Sequence, residues 1–208
     1  MLNFQLLLSG AKMKTLVITI TGASASIRKR KDTLPEFIED VIKGQPDIEP
    51  VFYNVFSSDS DCVEKAVRRI WAWPYNILLI GKSLGGVRAW WAITHYWERF
   101  KLKLDSGQKF GVVLIDPHGP QKGDKRAGWY GVSLQTLRMK RAWNRKDMKI
   151  SCVYQRNKAP KGAHLPSNKF ARNKKLNSKA DHWNITQIDT GPGQTVAKEI
   201  NKTINWIC

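Results

Sequence analysis

The chain has 208 residues, with 35 Lys and Arg against 17 Asp and Glu, so its formal net charge is +18. With 42% hydrophobic and 10% aromatic residues, it can bury about 70% of the surface of the unfolded chain, which argues against intrinsic disorder. Its length fits one domain, and its three cysteines, Cys62, Cys152 and Cys208, support neither a disulfide framework nor a zinc knuckle, so a reducing compartment is expected.

The amino-terminal segment is predicted to lie outside the fold. Its short apolar run has no positively charged start and is too short to cross a membrane. Because Met13 stands directly before a strong strand, we interpret residues 1–12 as a leader and residues 13–208 as a single domain. The absence of a recognisable signal peptide or transmembrane segment predicts a cytoplasmic protein.

Strands and helices alternate from the first strand onward. Residues 16–21 are β-branched and almost continuously apolar, which predicts a buried parallel strand. Pro35 at the start of an apolar stripe and Gly44 after it predict a short amphipathic helix. A strand at 51–56 follows, and a capping box at 61–64 then opens another helix.

The second half continues the alternation. Residues 76–80 form another buried strand, followed by a Gly-rich turn and a long helix at about 84–100. Two more strands are predicted at 112–115 and 150–154, and a final helix follows the turn at 191–193. This order predicts an α/β fold with a mostly parallel sheet flanked by helices on both faces, whose ligand site lies beyond the carboxyl ends of the strands.

The positive charge is concentrated near the carboxyl end. Residues 138–180 contain 14 Lys and Arg residues and one acidic residue, Asp147. Such a surface attracts anionic partners such as nucleic acid, anionic lipid or acidic polymers. Because no nucleic-acid-binding module is recognisable, we expect nonspecific contact with polyanions; the alternative is a solvated face that aids solubility.

The strongest local signal is the segment 81–86, Gly-Lys-Ser-Leu-Gly-Gly, between a buried strand and a helix. This is the context in which G-x-S-x-G acts as a nucleophile elbow, with Gly81 and Gly85 removing side chains that would clash at the sharp turn. Ser83 then projects above the sheet, and the backbone N–H of Leu84 points toward a developing oxyanion. A phosphate-binding loop is disfavoured because its first glycine falls on Asn76, while an ordinary tight turn is the structural alternative.

Because of this elbow and the order of the strands, residues 14–207 resemble the α/β-hydrolase superfamily, in particular its small serine esterase-like and lipase-like members. In that superfamily the nucleophile, the acid and the histidine follow one another in this order along the chain. The resemblance implies a three-layer sandwich and a serine hydrolase of esterase, lipase or thioesterase type that needs no metal or organic cofactor.

Asp116 is the predicted acid, because it follows the first strand after the elbow. The acid of the superfamily more often follows the next strand, but residues 155–157 of this chain read Gln-Arg-Asn. Asp116 therefore corresponds to the superfamily's alternative acid position. A turn or cap role for this aspartate is the structural alternative, and Asp124, Asp181 and Asp189 remain substitutes.

His182 is the predicted histidine, because it precedes the final helix and fits the order of the superfamily. If residues 185–188 were the last strand, the loop after them would lack a histidine, and His164 would then be the rival. His118 directly follows the acid and is a further alternative that lines the site, while His95 on the helix after the elbow is interpreted as structural. If neither His182 nor His164 reaches the serine, the fold lacks activity.

The predicted mechanism is acyl transfer. Ser83 attacks an ester or related acyl bond after His182 removes its proton, Asp116 fixes the imidazole, and water cleaves the acyl-enzyme. Leu84 and Ala23, the latter in the loop after the first strand, are the predicted oxyanion-hole donors. The expected partner is a small-molecule or lipid-like acyl ester. The alternative function is an inactive hydrolase-fold module that binds a polyanion through its basic carboxyl-terminal third.

Overall fold

The computed structural model describes residues 14–22, 34–45, 47–54, 62–118, 145–157, 162, 165 and 171–208. Several features predicted from the sequence lie outside these residues, namely the leader at 1–12, Ala23, the first residue of the capping box at 61–64, Asp124, His164 and much of the basic stretch at 138–180.

The described residues form one six-stranded sheet covered by helices. The strands lie in the order β2-β1-β3-β4-β5-β6, and every neighbouring pair is parallel. This confirms the predicted fold class. In chain order the elements are β1 (Thr15–Thr21), α1 (Leu34–Ile42), β2 (Ile48–Asn54), α2 (Cys62–Ala72), β3 (Asn76–Lys82), α3 (Leu84–His95), α4 (Trp97–Asp105), β4 (Phe110–Ile115), β5 (Met148–Tyr154), β6 (Ala171–Lys175), a 3-10 turn (Asn184–Thr186) and α5 (Gly191–Ile207).

Two hydrophobic cores sandwich the sheet. Alternate side chains of β1 point to opposite faces, so that Leu16 and Ile18 pack with α2, α3 and α4, whereas Val17 packs with α1 and α5. All residues of β1, β3 and β4 are buried, because the helices cover both faces of these strands. This explains why their sequences are almost continuously apolar. Among the described residues, no helix is long and apolar enough to span a bilayer.

Two predicted elements have different bounds in the structure. The helix expected at 84–100 is two helices, because Tyr96 (φ −102°, ψ 26°) leaves the helical conformation between them. The apolar pattern continues through this break, with Trp97 and Phe100 buried, so periodicity alone does not reveal it. The strand expected at 51–56 is β2, which starts at Ile48 and includes Pro50, a residue that an edge strand tolerates.

The strand β6 and the 3-10 turn at 184–186 were not predicted, and α5 begins at Gly191, within the turn expected at 191–193. In the part of the chain that the structure describes, β6 is an edge strand; its residues read Ala-Arg-Asn-Lys-Lys, and with Arg172, Asn173 and Lys175 exposed it lacks the apolar pattern that burial on both faces produces. Residues 185–188 were considered above as a possible last strand. The first two of them belong to the 3-10 turn, and the other two follow it. In that turn the Asp181 carboxylate accepts hydrogen bonds from the backbone N–H groups of Trp183 and Asn184, at 2.8 and 2.9 Å.

The start of α3 lies in direct backbone contact with the sheet. A Cβ atom at Gly85 would overlap the carbonyl oxygen of Ile20 in β1, and one at Gly81 would lie 2.7 Å from the carbonyl oxygen of Gly85. Neither position has room for a side chain unless the backbone moves. The glycines are therefore required by the close approach of the first turn of α3 to β1 and β3.

We predict that Gly85→Ala destabilises the fold by about 2–3 kcal/mol, because the added methyl group meets backbone rather than a flexible side chain. Thermal unfolding should show a loss of roughly 4–12 °C in Tm, given about 2–4 °C per kcal/mol for a chain of this size. Gly191→Ala is the matched control, since a Cβ there would meet no atom within 4 Å. Equal melting temperatures for the two variants would contradict the proposed backbone contact.

Candidate active site

Three neighbouring parallel strands bring polar residues to one edge of the sheet. Ser83 follows β3, Asp116 follows β4 and Gln155 follows β5, and all three side chains are buried. Backbone hydrogen bonds extend the sheet pairing to these positions: Ser83 N–H donates to the carbonyl oxygen of Ile115 at 3.0 Å, and Asp116 N–H donates to that of Val153 at 2.6 Å. The sheet itself therefore fixes the positions of the serine and the carboxylate.

Ser83 occupies a strained turn between β3 and α3. Its φ of 58° and ψ of −129° lie in a region that residues with side chains rarely adopt, which costs of order 1–3 kcal/mol. Gly22 faces it across the turn, where a Cβ would lie 2.6 Å from the Cβ of Ser83. Leu84 is the first residue of α3, in the turn whose backbone N–H groups have no acceptor within the helix. This geometry agrees with the strand–turn–helix context that a nucleophile elbow requires.

His118 is the histidine that contacts the serine. Its Nε2 lies 2.8 Å from the Oγ of Ser83, and its backbone N–H also donates to the Ser83 carbonyl oxygen at 3.4 Å. The sequence prediction assigned the contact with Ser83 to His182, with His118 as an alternative residue lining the site. The structure thus holds His118 against the elbow through both its side chain and its backbone.

His182 is paired with the predicted acid. Its Nδ1 lies 2.7 Å from the Oδ2 of Asp116, and both side chains are almost fully buried, with residue exposures of 2% and 0%. The ring belongs to the segment between β6 and α5, directly after Asp181, whose side chain accepts the turn hydrogen bonds described above. Asp181, considered as a substitute acid, therefore has a structural role in positioning this segment.

The Asp116 carboxylate is held by further donors that the sequence prediction did not include. Oδ1 accepts the backbone N–H of Gln155 at 3.0 Å, and Oδ2 lies 3.3 Å from Nε2 of the same glutamine. The Gln155 Oε1 atom accepts the backbone N–H of Asn157 at 2.8 Å, which fixes which end of the amide faces Asp116. A Cβ at Gly162 would overlap Oδ1, so glycine is needed beside the carboxylate. The only sequence signal for Gln155 is a polar residue at a strand exit.

The two histidine rings lie against each other. Their centroids are 4.7 Å apart and their planes are inclined by 63°, in an edge-to-face arrangement. The contacts therefore run from Ser83 to His118, from His118 to His182 and from His182 to Asp116. In this arrangement the Ser83 hydroxyl can release a proton to the imidazole of His118, and the buried carboxylate of Asp116 can balance a positive charge on the rings.

Lys82 belongs to the scaffold around the site. Its side chain is buried, and Nζ donates a hydrogen bond to Thr186 Oγ1 at 2.8 Å. The bond ties the end of β3 to the 3-10 turn that follows His182. A phosphate-binding loop would require residues 76–80 to be a loop with free backbone N–H groups. These residues instead pair with the two neighbouring strands of the sheet, which disfavours a phosphate-binding loop.

Besides the residues in this chain of contacts, the described part of the chain contains one further histidine, His95, and a buried thiol, Cys152. His95 stacks on Trp91, with ring centroids 4.5 Å apart, as expected for a structural histidine. Burial and, to a smaller extent, the negative charge of Asp116 raise the pKa of the Cys152 thiol to about 12. Among the described residues, no group of three or more His, Cys, Asp or Glu side chains is arranged to hold a metal ion.

No protein-family model and no curated protein sequence matches this chain. Similar solved structures include an alpha/beta superfamily hydrolase from Oenococcus oeni PSU-1, with a TM-score of 0.55 and 14% identity over 95% of this chain and 94% of that chain. Another is carboxyl esterase 2 from the mycorrhizal fungus Tuber melanosporum, with a TM-score of 0.51 and 11% identity over 92% of this chain and 78% of that one. The chain therefore has the α/β-hydrolase fold, which confirms the resemblance at the level of the fold.

We predict that Cys152 resists alkylation by iodoacetamide in the folded protein at pH 8. With a pKa of about 12, only about one thiol in 10⁴ is ionised at that pH, and the side chain is buried. Peptide mass mapping should show modification of Cys208, which is exposed, before Cys152. Unfolding in guanidinium should make the two react alike, whereas equal rates in the native protein would contradict the burial of Cys152.

Proposed function

We propose that the protein is a serine hydrolase that cleaves an ester or related acyl bond through an acyl-enzyme on Ser83. The observation that carries this proposal is the 2.8 Å contact between Ser83 Oγ and an imidazole nitrogen at a strained strand-to-helix turn. A hydroxyl bonded to a base is the usual form of an activated serine nucleophile. The hydrolase and esterase names of the similar structures support the same class of reaction.

In the proposed reaction each group at the carboxyl ends of the strands has a distinct task. Ser83 Oγ attacks the acyl carbon while a site histidine takes its proton, and the Asp116 carboxylate orients His182 and offsets the positive charge on the imidazoles. The leaving alcohol receives a proton, and water then hydrolyses the acyl-enzyme. A carboxylate with 0% exposure suits this task because its interaction with a nearby cation is weakly screened.

Oxyanion stabilisation is proposed for the backbone N–H of Leu84 and, outside the described residues, for that of Ala23. Leu84 begins α3, so its N–H lies at the positive end of the helix dipole. A side chain at position 22 would collide with that of Ser83, so glycine is required where the end of β1 passes the proposed nucleophile. The proposed substrate is a small-molecule or lipid-like acyl ester.

A fluorophosphonate probe tests the proposed nucleophile directly. We expect intact-mass analysis to show one adduct on the native protein and none on Ser83→Ala, because only an activated serine attacks the probe at a useful rate. His182→Ala and Asp116→Asn should react more slowly than the native protein, because both side chains support the imidazole that takes the serine proton.

Heat-denatured protein is the control for nonspecific reaction, and circular dichroism confirms that each variant is folded. An unlabelled native protein would overturn the proposed function. Labelling that survives in Ser83→Ala would remove Ser83 from its proposed role while leaving the fold unaffected.

A second candidate function is polyanion binding by the basic carboxyl-terminal third. The observation that favours it is a group of exposed cationic residues on β6, the following turn and neighbouring segments. Described acidic residues are few there, and Glu199 is engaged by Lys202 and Lys174 at 2.9 and 3.5 Å. The exposed cations are Arg156, Arg172, Lys175, Lys179 and Lys198.

We predict that heparin binds this surface and that its affinity falls steeply with salt, since each neutralised anionic group releases counterions. The double variant Lys175→Glu and Lys179→Glu should lower the affinity and reduce the slope of log K against log salt. Lys101→Glu with Lys65→Glu, on helices α4 and α2, reverses the same number of charges as the matched control. Equal losses in both double variants would indicate an effect of net charge alone.

A further inference from the structure

We propose that two histidines share the role that one histidine has in a Ser-His-Asp triad. His118 is the catalytic residue that exchanges the proton with Ser83, and His182 is a positioning residue that is bonded to Asp116 and packs against His118. This inference rests on the proposed serine-hydrolase function and deepens it. It differs from the sequence prediction, in which the single ring of His182 contacts both the serine and the acid.

The first support is the contact of His118 with the reacting atom. Its Nε2 lies 2.8 Å from Ser83 Oγ, within the range required of a general base. Accepting the serine proton requires a lone pair on Nε2, so the neutral ring carries its proton on Nδ1. The backbone bond from His118 N–H to the Ser83 carbonyl oxygen, at 3.4 Å, fixes the residue beside the elbow.

The second support is that the carboxylate engages the other ring. Asp116 Oδ2 lies 2.7 Å from Nδ1 of His182, and Gln155 restrains the same carboxylate through its backbone and its side chain. In a single-histidine triad one imidazole makes both contacts. Here the two contacts belong to two rings, each with one nitrogen committed to a different partner.

The third support is the packing of the rings. Their centroids are 4.7 Å apart at an angle of 63°, so the positive charge that forms on His118 lies beside the ring of His182. His182 is itself bonded to an anion, so the pair presents a negative charge one ring away from the developing cation.

The proton balance of the cycle closes with His118 alone. Ser83 Oγ bonds to the acyl carbon and its proton moves to Nε2 of His118; the ester C–O bond then breaks and that proton goes to the leaving alcohol. Water next gives a proton to Nε2 as its oxygen bonds to the acyl carbon. Finally the bond to Ser83 Oγ breaks and the serine recovers the proton. His182 keeps its proton on Nδ1, hydrogen-bonded to Asp116 Oδ2, throughout the cycle.

The test is chemical rescue of fluorophosphonate labelling, followed by intact mass. In His118→Ala the probe should label Ser83 at least about 10²-fold more slowly than in the native protein. Added imidazole should restore part of the rate by replacing the missing base. His182→Ala should also be slower but should show no imidazole rescue. His182→Asn, which keeps an N–H donor near Asp116, should be faster than His182→Ala.

His118→Gln is made in parallel, so that a folding defect of the alanine variant does not decide the result, and melting curves accompany every variant. Labelling of His118→Ala and His118→Gln at the native rate would overturn the inference and leave the proposed function standing. Imidazole rescue of His182→Ala but not of His118→Ala would have the same consequence, because His182 would then be the base. A native protein that the probe does not label would overturn both proposals.

Discussion

The backbone contact between the first turn of α3 and the sheet is the constraint on which the rest of the site depends. Gly85 lies so close to Ile20 that no side chain fits between them, and Ser83 is the single residue between β3 and α3 in which the chain reverses direction. Ser83 absorbs the reversal by adopting a φ of 58°. The strain is maintained because burial of β3 and α3 on the core side stabilises the fold by far more than a strained residue costs.

A second strained residue lies at the next strand exit, and its strain is offset differently. Asp116 has a φ of 43°, and among the described residues its carboxylate accepts hydrogen bonds from Gln155 and His182. Burying an ionised carboxylate without such donors is costly. The donors both stabilise the charge and fix its direction, so the backbone conformation and the hydrogen bonds depend on one another.

The parts of the fold that the sequence predicts well are those in which one cause dominates. Strands buried on both faces need apolar residues at every position, which made β1, β3 and β4 recognisable, and the glycines identified the elbow. The edge strand β6 has no such requirement, and the break at Tyr96 leaves the apolar period intact. Both features depend on tertiary contacts rather than on a local pattern.

The site shows the same division. Chain order and strand exits selected Ser83, Asp116 and His182, residues that the structure does place at one edge of the sheet. Which ring contacts the serine depends on side-chain orientation, and orientation is set by neighbours distant in sequence, such as Gln155 and Gly162. Sequence order therefore identifies the group of residues, whereas the hydrogen-bond partners within it require coordinates.

The position of Asp116 explains how His118 comes to lie beside the serine. Because Asp116 follows β4, the immediate neighbour of β3, the chain leaving this aspartate runs past the elbow, and the backbone of His118 bonds to Ser83. An acid after β5 would be one strand further away, and the residue two positions beyond it would begin about 5 Å more distant from the serine. In this chain that more distant position is Gln155, which supports the carboxylate instead of supplying it. With Asp116 on the strand next to β3, the residue two positions further along contacts the serine, while His182 from the segment before α5 contacts the carboxylate.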